Sequence, residues 1–134
     1  MKKIIMFLLI ITCFNLGYSQ TNMLSNPLNL KPTKTEFIHP LDFNGSSKEK
    51  DNVIEYIEEL VENQMALIDM KSNVVTREME EAELTSFKNL TKAKDRELLD
   101  TLIEQLNFTG NMSYIVLEQM YNYEVAAKDE KLEW

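Results

Sequence analysis

Residues 46–70 read SSKEKDNVIEYIEELVENQMALIDM, and their periodicity decides the fold class. Val53, Ile54, Ile57, Leu60, Val61, Leu67 and Ile68 recur at steps of three and four, while Glu55, Glu58, Glu59, Glu62 and Asn63 take the opposite side. At 3.6 residues per turn such positions gather into one apolar stripe, so the segment predicts an amphipathic helix from residue 47 to about residue 70. Ser46 and Glu49 have capping-box spacing, in which the hydroxyl accepts from a first-turn amide and the carboxylate reaches back. The apolar seam lasts little more than two heptads, too short for a coiled coil, so the helix is expected to pack within its own domain.

Downstream, a second helix is expected near Thr76, with Glu78, Glu80 and Glu81 in its first turn, where the positive end of the helix dipole favours acids. Its apolar positions are Met79, Ala82, Leu84, Phe87 and Leu90. The phase is lost through Thr91-Lys92-Ala93-Lys94 and resumes after Asp95, a credible cap, with Leu98, Leu99, Leu102, Ile103 and Leu106. A kink or two consecutive helices is therefore expected between residues 76 and 107. Thr109-Gly110-Asn111 marks a break, and residues 112–128 form a last helix. With Ile115, Val116, Leu117, Met120, Tyr121, Tyr123, Val125, Ala126 and Ala127 it has a narrow polar strip, which predicts a central element covered on most sides.

Upstream, residues 20–45 hold all three prolines, Pro27, Pro32 and Pro40. Proline fixes its own φ and drives its predecessor toward extended backbone, so this stretch reads as an extended arm. Phe37, Leu41 and Phe43 share one parity with Ile38 between them, and are expected to pin the arm on the helices as a short edge strand or a turn. The first 19 residues follow the grammar of an export leader: Lys2 and Lys3, an apolar run from Ile4 onward, then Gly17-Tyr18-Ser19. Cleavage is expected between Ser19 and Gln20. The apolar run is about half the length a spanning helix needs, so no membrane span is expected after cleavage. Cys13 would permit lipid anchoring, but Ile10-Ile11-Thr12 is a poor match to the residues that lipid attachment favours.

Removing Lys2 and Lys3 with the leader takes the formal charge from −8 to −10 and leaves 115 of the 134 residues, with no cysteine. That length suits one domain with its own core. Disulfides, thiolate metal sites and cysteine nucleophiles are thereby excluded from the mature part. The negative charge opposes phosphate backbones and anionic lipid surfaces, so neither nucleic acid nor a membrane surface is an expected partner.

The candidate chemistry is sparse. Glu55, Glu58, Glu59 and Glu62 gather acids on one helix face, but helical di-metal sites need inward glutamates from separate helices and a Glu-x-x-His step, whereas the single histidine, His39, lies in the arm. The stripe is expected to be a solvated face, and weak divalent-cation binding is the alternative. His39 has Ile38 and Pro40 as neighbours and reads as a turn or surface histidine rather than a ligand or base. There is no Gly-x-Ser-x-Gly elbow and no phosphate-cradling glycine loop. Met23, Met65, Met70, Met79, Met112 and Met120 are too dispersed for a thioether metal site and are expected to fill the core. The aromatics concentrate toward the end, and Tyr114, Tyr121, Tyr123 and Trp134 are the candidate interaction residues.

The expectation is an all-α protein: a leader (1–19), an extended proline-containing N-terminal arm (20–46) and a small bundle of three to four helices (47–134). It is expected to be secreted or periplasmic and to act as a non-catalytic binding or interaction module on an unknown protein partner, without cofactor, metal or catalytic residue. The alternatives are a weak divalent-cation-binding acidic bundle and a small extracytoplasmic enzyme.

Overall fold

In the computed structural model, residues 32–106 and 112–129 are described. The leader, Cys13, the Ser19–Gln20 junction, the arm up to residue 31, the break at Thr109-Gly110-Asn111, Phe108 and Trp134 lie outside the described residues. The fold is all-α, as the periodicity predicts. A 3-10 turn, Pro40–Asp42, precedes four helices: α1 Ser47–Leu67, α2 Asn73–Leu90, α3 Arg96–Leu106 and α4 Tyr114–Asp129. No strand occurs among the described residues, so Phe37, Leu41 and Phe43 pin the arm through extended backbone and the turn, packed on the core.

Each helix start can be traced to a side chain. Ser46 caps α1, its Oγ accepting from the Glu49 amide at 3.3 Å. The Glu49 carboxylate reaches further back than the capping box requires, accepting from the Asn44 amide at 2.7 Å and from Asn44 Nδ2 at 2.9 Å. Ser46→Ala should therefore cost about 1 kcal/mol in urea unfolding. Gly45, at φ 77°, makes the left-handed bend that feeds this cap. Helix α1 ends at Leu67, earlier than residue 70, because Asp69 turns left-handed (φ 49°). Ser72 then caps α2 by accepting from the Val75 amide, so α2 begins three residues before Thr76. The break between α2 and α3 resolves the lost phase as two helices, and Asp95 caps the second by accepting from the Leu98 amide at 2.9 Å.

The core runs along α1 as Val53, Tyr56, Ile57, Leu60, Val61 and Met65. Fully burying one such aliphatic side chain contributes about 2 kcal/mol. Ile54, placed in the stripe by spacing alone, is 45% exposed, and Tyr56 takes the buried place instead. The central element is α2, which packs against α1, α4 and the 3-10 turn. The narrow polar strip of α4 predicts a central helix covered on most sides, but α4 buries a single face: Tyr114, Leu117 and Tyr121 are buried while Val116 is 37% exposed. Beyond Tyr121 its side chains through Lys128 are exposed, although Lys128 still reaches back to pair with Asp95.

Candidate functional site

A buried cluster of polar groups lies inside the bundle, where α2 meets the start of α4. Glu83 is 1% exposed. Its Oε2 accepts from the amides of Tyr114 at 2.7 Å and Ile115 at 3.2 Å, and its Oε1 lies 2.6 Å from the Ser113 hydroxyl. Ser113 Oγ in turn accepts from the Val116 amide at 3.3 Å. Two side chains, one from another helix, thus satisfy the first free amides of α4. Burial pushes the Glu83 carboxyl up to about 7, while the Ser113, Ile115 and Tyr114 donors pull the other way.

Two buried tyrosines serve a similar purpose. Tyr56 Oη donates to the Met112 carbonyl at 2.8 Å and accepts from the Met112 amide at 2.9 Å. Tyr114 Oη donates to the Ile38 carbonyl at 3.1 Å and accepts from the Ile38 amide at 3.4 Å. Each phenol satisfies both backbone groups of one residue, so irregular chain can sit against the core without orphaned amides. Burial drives both hydroxyls well above the ordinary tyrosine range. The rings form one cluster: Phe37 stacks on Tyr114 at 5.1 Å, while Phe87 meets Tyr114 at 5.0 Å and Phe43 at 5.1 Å edge-on.

His39 is half-buried and fully engaged. Its Nδ1 accepts from the Leu41 amide at 3.1 Å, which places the proton on Nε2, 2.8 Å from Asp100 Oδ1. Arg96 joins the same network through Asp42 at 2.8 Å and Asp100 at 3.5 Å. The Arg96 hydrogen bond holds the Asp42 carboxyl below its usual range. The histidine that sequence leaves as a turn residue thus ties the 3-10 turn to α3. Among the described residues no group of three or more His, Cys, Asp or Glu side chains is arranged to hold a metal ion.

The acidic stripe of α1 divides by task. Glu59 accepts from the amides of Lys34 at 2.6 Å and Thr35 at 3.2 Å, which fastens the arm. Glu58 lies 3.6 Å from Arg77, which also pairs with Glu80 at 2.6 Å. Glu55 and Glu62 are exposed, as expected for a solvated face.

Of the four candidate interaction residues, the three that are described do not share a surface. Tyr114 is wholly buried, and Tyr121 is 9% exposed with its hydroxyl accepting from the amides of Lys94 at 3.1 Å and Asp95 at 3.0 Å. Tyr123 is 78% exposed, and Trp134 lies outside the described residues. A shallow groove of about 270 Å³ runs beside Tyr121 and Val125, between α4 and the chain from Asn89 to Lys94.

The apolar surface that sequence spacing does not flag is the α1–α2 turn. Leu67, Ile68, Met70 and Val74 are 37%, 53%, 40% and 70% exposed within eight positions. Leu67 and Ile68 continue the α1 stripe in sequence, but the helix ends beneath them, so the stripe runs off the core. No family model, no curated protein and no solved structure matches this chain. Among the described residues no helix is long and apolar enough to cross a membrane.

Proposed function

We propose that this chain is an exported, non-catalytic interaction module. Export is supported by the leader grammar of residues 1–19. The observation that carries the interaction reading is a division of labour. The side chains best suited to chemistry, Glu83, His39, Tyr56 and Tyr114, each have their polar atoms committed to holding backbone or neighbouring helices. Large apolar side chains meanwhile stand exposed at the α1–α2 turn. A base or nucleophile needs a free atom facing substrate, whereas a contact patch needs exposed apolar area.

Placing a photo-crosslinking amino acid at Ile68 in the exporting cell should give a discrete heavier adduct. The same residue at exposed Glu104 on α3 should give none. Identical patterns at both sites, or no adduct at Ile68, would overturn the reading. Intact mass of the exported protein should begin at Gln20, and a species retaining Met1 would remove the support from the leader.

A further inference from the structure

We propose that the α1–α2 turn receives a basic amphipathic segment of a protein partner, an assignment that rests on the interaction reading above. Three features define the occupant. The first is the apolar set Leu67, Ile68, Met70 and Val74, spread over the end of one helix, the turn and the start of the next. An apolar stripe on a short helix supplies side chains at matching intervals. Met70, unbranched and polarizable, adapts to differing side chains opposite it.

The second feature is charge. Residues 58–81 carry seven carboxylates against two cations, Lys71 and Arg77. Arg77 is paired with Glu58 and Glu80 and offsets one of those carboxylates, so with Lys71 the segment keeps a net charge of −5. Asp69 stands exposed between Ile68 and Met70 with Lys71 exposed beside Met70, and Glu62 lies exposed on the last turns of α1, on the side away from the apolar stripe. Acids set around apolar residues select a partner that presents Lys or Arg beside its own apolar stripe, and they steer its approach.

The third feature is what the same charge disfavours. Two copies of this end would bring like charge together, and an anionic lipid surface would be repelled by a chain of net charge −8, which removal of Lys2 and Lys3 makes −10. A basic protein segment satisfies both the apolar and the electrostatic requirement.

The test uses a synthetic fourteen-residue amphipathic helix of leucine and lysine, titrated into the purified exported protein by calorimetry. Combined Ile68→Ser and Val74→Ser should weaken binding by about tenfold or more, since both side chains lose apolar contact. Combined Glu62→Gln and Asp69→Asn should weaken it several-fold at low salt and much less at high salt. Combined Glu97→Gln and Glu104→Gln on α3 should change it by less than about twofold. All six positions are exposed, so circular dichroism should show unchanged folding. Equal losses from the α3 pair would reduce the binding to net charge and overturn the proposal. A dimer that dissociates on Ile68→Ser would assign the face to a second copy, and peptide binding only by a chain lacking residues 20–31 would assign it to the chain's own segment; either overturns it. If Ile68 crosslinks to a partner in cells while the peptide does not bind, the interaction reading stands and this inference falls.

Discussion

Glu83→Ala should lower unfolding stability by about 3 kcal/mol, roughly 10 °C in melting temperature for a domain of this size. The substitution leaves the amides of Tyr114 and Ile115 without their acceptor and opens a void among buried side chains. Glu83→Gln keeps the shape and one carbonyl acceptor, so it should cost less, and it removes the titration. The wild-type carboxyl titrates near 7 in the folded chain, above its ordinary value of 4.5. A raised carboxyl means the folded state holds its proton more tightly than the unfolded state. The resulting stability is fully present below 4.5 and is lost as pH rises through about 7. The difference is worth about 3 kcal/mol. Urea midpoints should therefore rise as pH falls from about 8.5 to 5.5 in the wild type, and rise much less in Glu83→Gln. Equal slopes in the two proteins would show that Glu83 is not the titrating group. A separate acid limb is expected at lower pH. Hydrogen bonds from Arg96 and Lys128 hold Asp42 and Asp95 below their ordinary values, and protonation as pH falls through those lowered values removes that support.

Tyr114 gives the second large effect, and its two halves separate by substitution. Tyr114→Ala should cost about 3–5 kcal/mol, because the ring is wholly buried among Phe37, Tyr56 and Phe87. Tyr114→Phe keeps the ring contacts and deletes only the hydroxyl that holds both backbone groups of Ile38. It should cost about 1–2 kcal/mol, with a local signature. Hydrogen exchange at the Ile38 amide should accelerate while the amides of α1 around Leu60 change little. Uniform acceleration through the bundle would show that the phenol supports the whole core rather than the arm.

Much of the architecture is legible in the chain because local rules act over a few residues. Ser46 with Glu49, the acids after Thr76, and Asp95 before a fresh leucine stripe mark helix starts, and the two caps so read, Ser46 and Asp95, both form. The start of α2 is the exception. A left-handed Asp69 and a Ser72 cap bring it forward, and neither residue carries a strong local signal by itself. Glu83 was legible in part: Met79, Glu83, Phe87 and Leu90 share helical spacing, so a glutamate sits in an apolar stripe. Nothing local says that the first turn of another helix would meet it there. Likewise, the link from His39 to Asp100 spans 61 positions, and no local pattern announces it.

The sequence by itself determined the helical class, the scarcity of cysteine and the acidic character, because each follows from residue type and short-range spacing. Tertiary structure decided which polar groups became internal fasteners and which apolar groups stayed outside. Helix periodicity says that a residue lies on a face, but not whether a neighbour reaches that face. Helix α1 ends before Ile68 finds a partner, and α4 begins where Glu83 waits for its amides.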